Sequence, residues 1–234
     1  NNEALELSAL IRFYRNPAQY FFNRTLKLDL NLNIQADEND EPFALNALSR
    51  YQLQSHLIDD AIKTGQEKPS PELLSRLRLS GQLPLAPFDD LLLAQYQHDI
   101  RAVVGRTLYL QGELSHTLDI DLNLRDKAST QLVGRIDGLS AKGLVNYRPG
   151  TANARDLIRV YLRHLSLNAN EPGAHTTPWQ RHSYLLDIGH FHTFAPVTPE
   201  QALNQLSLWV DYFHQGLSNP LCFLPRTAFA YVEA

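Results

Sequence analysis

The chain has 234 residues, 44% hydrophobic and 20% charged, an ordinary balance for a soluble globular protein with a real core. Its net charge of −4 gives no global sign of nucleic-acid binding, so any such surface is local, and no apolar run approaches the roughly 20 residues of a membrane helix. A single cysteine, Cys222, excludes an internal disulfide framework and suits a reducing cytoplasm. There is no secretory-type N-terminus. A chain that lacks methionine and begins Asn-Asn-Glu-Ala reads as a piece of a longer protein, and methionines lost from the sequence would leave hidden breaks in its spacing.

Residues 3–26 read as a helix interrupted near Asn16-Pro17, with Leu7, Leu10, Ile11 and Tyr14 on one face and Tyr20, Phe21 and Phe22 as an aromatic anchor. Residues 27–34 alternate like a strand, and Asp37, Glu38, Asp40 and Glu41 form an acidic turn. A long amphipathic helix follows from Phe43 to about Thr64, presenting Leu48, Tyr51, Leu57, Ile58 and Ile62, with Gly65 as its C-cap. Ser70-Pro71 opens a short helix around Leu73 and Leu77, and another spans about Phe88 to Val104, with Leu91, Leu92, Tyr96 and Ile100 facing inward. Residues 107–124 then alternate as two strands around a turn near Gly112–His116, and a hairpin at 130–148 continues the sheet. Residues 153–168 form a helix, strands lie near 182–187 and 190–195, and Thr198-Pro199 starts a helix that stops at Gly216. The tail from Asn219 to Tyr231 is apolar enough to dock on the body. The fold class is α/β, a small mixed sheet flanked by helices. Residues 1–105 are its mainly helical portion and 106–234 its sheet-bearing core, together one domain.

The chemistry centres on Gly134-Arg135-Ile136-Asp137-Gly138 and, after a turn near Gly143, Leu144-Val145-Asn146-Tyr147-Arg148. In a two-strand Mg²⁺ site, one acid stands on the first strand, and an acid and a lysine stand two apart on the second. The acids converge on a metal that wants hard oxygens, and the lysine activates a water or steadies phosphate charge. Residues 146 and 148 share a strand face, as that chemistry requires. Yet Asn146 offers only a neutral oxygen, and Arg148 is too basic to act as a base. Asp137 alone binds Mg²⁺ poorly; it could equally pair with an arginine. Glu113, Asp119 and Asp121 are the remaining acids that could substitute, without spacing that places them on the same edge.

These motifs resemble the C-terminal domain of the exonuclease V gamma subunits (RecC), whose fold is a degenerate PD-(D/E)xK nuclease. Phe13-Tyr14-Arg15-Asn16-Pro17, Tyr20-Phe21-Phe22, Glu41-Pro42-Phe43-Ala44-Leu45 and Tyr51-Gln52-Leu53 carry the likeness. So do Leu83-Pro84 with Phe88, the glycine-flanked Asp137 motif, Asn219-Pro220-Leu221 and Leu224-Pro225-Arg226-Thr227-Ala228. The resemblance implies a restriction-endonuclease-like core. Active relatives read acid-aromatic-lysine where this chain has Asn146-Tyr147-Arg148, and glutamine and tyrosine near Arg159 and Tyr161. Leu92 and Leu93 stand near a metal-site histidine of active members. Asn16 stands where cousins carry a first iron–sulfur cysteine, and Cys222 has no partners, so no cluster is expected.

By the same resemblance the domain is non-catalytic and without catalytic residues. It assembles with RecB and RecD, touches double- and single-stranded DNA during break repair by homologous recombination, and needs no cofactor of its own. Mg²⁺ and ATP belong to the partner subunits, and no Walker-type phosphate loop occurs here. Arg148, Arg155, Arg159 and Arg163 are the DNA-binding candidates. The last three, four apart on a helix, form a strip suited either to solvent and partner contacts or to backbone phosphates. His190 and His192, with His182 nearby, have metal-like spacing but no clear third ligand. Two rival readings stand beside this one: a divergent but active Mg²⁺-dependent DNA nuclease, and a pure protein-interaction scaffold.

Overall fold

The computed structural model describes residues 4–28, 47–84, 86–112, 116–170, 179–225 and 227–228. The expected acidic turn lies outside them. Of the expected strand at 27–34 only Lys27 and Leu28 are described, and neither is in a strand.

The chain enters through a two-residue strand, β1 (Leu5–Glu6), that sequence reading missed because it is too short to show alternation. It leads directly into α1 (Leu7–Arg15). Asn16 breaks that helix and caps the next, α2 (Pro17–Tyr20), by accepting the Gln19 N–H at 3.2 Å, and a π-helical turn (Phe21–Thr25) follows.

Three helices form the second layer: α3 (Ala47–Thr64), α4 (Pro71–Leu79) and α5 (Phe88–Gln111). Ser70 caps α4 through the Leu73 N–H, and Asp60 accepts both the Ser70 N–H and its hydroxyl at 2.7 Å, tying α3 to α4. The expected inward faces need correction in three places. Leu48, Tyr51 and Leu91 are exposed; the buried positions are Leu53, Leu57, Ile58 and Ala61 on α3 and Leu93, Tyr96, Ile100, Val103 and Val104 on α5. Helix α5 also runs past residue 105 to Gln111 and absorbs the first of the two strands expected at 107–124. Thr107 and Leu110 are buried on the same side as Val103 and Val104, so tertiary burial held the helical period where local alternation suggested a strand.

The sheet holds β2 (His116–Asn123), β3 (Gln131–Ser140), β4 (Gly143–Tyr147), β5 (Ser183–Leu186) and β6 (Phe191–Phe194), with β1 joining it. Strand β4 is parallel to β5, reached through α6 (Ala154–Ala169), and β1 is parallel to β3; the other neighbours are antiparallel. Against the face holding Leu132, Ile136, Leu139 and Leu144 pack α1, α6 and α7 (Pro199–Ser218). Val145 and Leu186, on the other face, share a core with α3, α4 and α5. The result is a sheet between two helical layers, with α1, α6 and α7 on one face and α3, α4 and α5 on the other.

Helix α7 begins as its Thr198-Pro199 signal requires, with a reciprocal Thr198–Gln201 capping box. It does not stop at Gly216 but continues to Ser218. Gly216 serves a close approach instead: a Cβ there would lie 2.7 Å from Phe13 Cε2 and closer to Cζ. The tail docks through Leu221 and Phe223 on the core of α1 and α7. Among the described residues, no helix is long and apolar enough to cross a membrane.

Candidate functional site

The glycine-flanked motif occupies a defined place in the sheet. Strand β2 pairs along one edge of β3, from Asn123–Gln131 to Leu118–Ile136 and again at His116–Leu139. A strand has two edges, so β1 and β4 share the other one. Strand β1 takes Leu132 and Val133, and β4 takes Leu139 and Ser140. Residues 134–138 are the stretch of that edge between the two partners.

Asp137 and Gly138 form a bulge there, because the two residues between Ile136 and Leu139 face only Thr117 on β2. Gly138 takes φ of 76°, a left-handed conformation that a side chain resists. The bulge turns Asp137 toward solvent, with its side chain 80% exposed. Asn146, across on β4, is buried, and its Nδ2 donates to the Tyr184 carbonyl at 3.4 Å.

Arg163 of α6 fills the space between them. Its Nη1 donates to Asn146 Oδ1 at 2.6 Å, and its Nη2 donates to the Asp137 carbonyl at 2.6 Å and also pairs with the Asp137 carboxylate. One guanidinium thus satisfies the Asp137 backbone carbonyl and the side chains of Asp137 and Asn146. Burial pushes the Arg163 guanidinium below its ordinary value, and the Asp137 charge opposes that shift.

Arg148 lies just beyond β4, where its N–H donates to the Leu186 carbonyl at 2.8 Å. Its guanidinium pairs with Asp156 in the first turn of α6 and lies 5.5 Å from the Tyr51 ring. Asn146 and Arg148 therefore share a face, both reaching α6, two turns apart. Tyr147, between them, points to the opposite helical layer and donates to Asp59; burial raises its phenol.

The donors do not fit Mg²⁺. Only Asp137 is a carboxylate, the Asn146 oxygen is taken, and a cation already occupies the position where a dication would need negative charge. The two described acids that could have substituted face β3 or solvent instead. Asp121 accepts from Gln131 Nε2 at 2.7 Å, Asp119 lies 4.0 Å from Arg135, and Glu113 is outside the described residues. Leu93, one of the two residues that the resemblance set near a metal-site histidine, is a core side chain.

The expected arginine strip divides. Arg163 faces inward; Arg159 is half-exposed at 4.0 Å from Asp156; Arg155 is exposed and turns toward α1. Sequence spacing fixed the common helix face but could not reveal that Asp137, 26 residues earlier, would take its last member.

The histidine pair acquires an acid that sequence reading did not find. Asp187 lies 3.4 Å from His190 Nδ1 and 3.9 Å from His192 Nε2, whereas His182 is not in this group. The Asp187 oxygens already accept the N–H groups of Ala152, Gly189 and His190. Those bonds outweigh burial and hold its carboxyl below the ordinary value. The group is a clamp for the β5–β6 turn.

Taken together, the layers and hairpin define a mixed-sheet α/β domain in which an arginine bridges Asp137 and Asn146. The model of the RecC C-terminal domain matches residues 2–234, and the chain belongs to that family. It is similar to the RecBCD enzyme subunit RecC of Escherichia coli K12, 25% identical over 99% of this chain and 19% of that protein. The RecC subunit of Buchnera aphidicola from Schizaphis graminum is 25% identical over 94% of this chain and 20% of its own length. That of Haemophilus influenzae is 23% identical over 92% and 19%. The chain spans about a fifth of the length of these relatives.

Proposed function

We propose that this chain is a non-catalytic, nuclease-like domain of the RecC subunit of a cytoplasmic RecBCD-type helicase–nuclease. In that role it contributes to assembly with RecB and RecD and to strand guidance during double-strand-break repair. Mg²⁺ and ATP are used by those partners, and the whole 234-residue chain acts as one unit. The observation that carries this reading is the Arg163 guanidinium bridging Asp137 and Asn146. A two-strand Mg²⁺ nuclease site needs converging carboxylates on the metal; this hairpin has a single carboxylate paired with a built-in cation.

Assembly is supported by the outer face of α7. Leu208 and Tyr212 are exposed one turn apart, beside two apolar concavities of about 410 and 490 Å³ that share Trp209 and Phe223. Apolar surface of this kind marks contacts with other proteins.

The test is cleavage of linear DNA by the full-length protein with Mg²⁺ or Mn²⁺, free of partner subunits. No cleavage is expected, and Asp137→Ala should change nothing. Metal-dependent cutting that disappears in Asp137→Ala would make the domain an active nuclease. Replacing Leu208 and Tyr212 by glutamate should weaken co-purification with the partner subunits; unchanged assembly would remove that part of the reading.

A further inference from the structure

Arg155 is exposed on α6, and it does not face its neighbours on that helix. It lines an open concavity of about 280 Å³ with Arg12 and Arg15 of α1, Arg24 of the π-helical turn, and Asn16 and Asn23. Four guanidinium groups from three segments converge on one hollow. None of the residues lining it is acidic, and none of the four arginines forms an ion pair among the described residues. On a chain with net charge −4, this is a local reversal of sign.

Folding accounts for only part of the cluster. Arg12 and Arg15 lie in the last turn of α1, where the helix dipole favours cations. Arg155 lies in the first turn of α6, where the dipole opposes a cation. Its nearest acid on the helix, Asp156, is committed to Arg148 and to the Asn153 N–H. The four like charges also repel one another. A hollow that collects guanidinium forks without an ion pair among the described residues is complementary to a group that brings several anionic oxygens at once.

We propose that Arg12, Arg15, Arg24 and Arg155 form a phosphate-binding pocket that seats the backbone of a DNA strand. The inference rests on the strand-guidance reading above and deepens it, because it moves the DNA contact from the internally bridged end of α6 to its N-terminal end. Guanidinium forks held by phosphate oxygens make the contact independent of sequence. Arg163, which the spacing had grouped with Arg155, takes no part.

The experiment compares the full-length protein with its Arg24→Ala/Arg155→Ala variant in binding a fluorescent single-stranded oligothymidylate across a salt series. Each lost phosphate contact lowers the slope of log affinity against log salt by about 0.7 on single strands, so the variant should lose about 1.4. The Arg24→Lys/Arg155→Lys variant should keep most of the slope, and neither pair should lower the thermal midpoint. If the wild-type protein binds with a steep slope and the alanine variant keeps it, the pocket is overturned while strand guidance survives. If the wild-type protein binds no DNA, both fall. If the alanine variant binds DNA normally but no longer assembles with partner subunits, the hollow holds an acidic protein surface, and the inference is wrong.

Discussion

Replacing Arg163 by methionine, which keeps the aliphatic stem, tests whether the guanidinium supports the hairpin or merely decorates it. Its side chain is 16% exposed, and it donates at 2.6 Å to Asn146 Oδ1 and at 2.6 Å to the Asp137 carbonyl. Hydrogen bonds involving a charged partner contribute about 1.5–3 kcal/mol each, less where water can replace the lost donor. The third link, to the Asp137 carboxylate, is different: that side chain is 80% exposed, and exposed pairs contribute about 0–1 kcal/mol. Arg163→Met should therefore cost about 2–4 kcal/mol, whereas Asp137→Ala should cost less than about 1 kcal/mol. For a chain of this size the first corresponds to a fall in Tm of about 5–15 °C and the second to a few degrees at most. The comparison should be made by urea titration and thermal melting, at low salt and in 1 M salt. A screened surface pair weakens in salt, so the large Arg163 effect should persist there. If Asp137→Ala costs as much as Arg163→Met, or high salt erases the Arg163 effect, the bridge is only a surface ion pair and the argument for a stably closed site fails.

Two further outcomes follow from buried groups. His164 is buried on α6 beside Ser183, and burial lowers its pKa to about 4. The unfolded chain takes up a proton near 6.5 while the folded one stays neutral, so this contribution is complete above 6.5 and is lost as pH falls toward 4. His164→Gln should flatten the stability profile over that window, measured as urea midpoints; equal slopes in both proteins would refute it. Gly216→Ala offers about 1 kcal/mol of helix propensity but forces a methyl onto the Phe13 ring, which is fully buried in edge contacts with Tyr14, Tyr20 and Phe213. A net loss of about 1–2 kcal/mol is expected, partly recovered by Phe13→Leu; a rise in Tm would show that the ring yields.

Most elements were legible because their signals are local. Ser70 and Thr198 announce helices through capping chemistry, and the hairpin shows through alternation around a glycine-bearing turn. Signals that depend on the partner layer were not. Leu91 and Leu93 lie two apart, on roughly opposite sides of α5, and packing against α3 and α4 decides that the second is inside. The extension of α5 through Leu108 and Leu110 defeats alternation for the same reason. Strand β1 owes its existence to the free edge of β3 and not to its own two residues. At the candidate site the sequence supplied Asp137, Asn146, Arg148 and Arg163 by name. It could not pair the first with the last, since nothing in a spacing of 26 residues encodes a shared hydrogen bond.

The edge of β3 explains why the hairpin holds together with Asp137 as the single carboxylate at this corner. Between β1 and β4 that strand presents a carbonyl with no strand beside it, and an unmet acceptor at a half-buried edge carries a cost of about 1–3 kcal/mol. In a metal site, positive charge among carboxylates would organise the same corner. Here a guanidinium from the helix that follows β4 brings positive charge and directed donors together, and Asn146 accepts from it without needing a charge. Once such a bridge exists, a carboxylate at position 146 has no structural task left to perform. The hairpin, its bulge and α6 can then persist as a scaffold, with exposed arginines at the other end of the helix free to meet an anion.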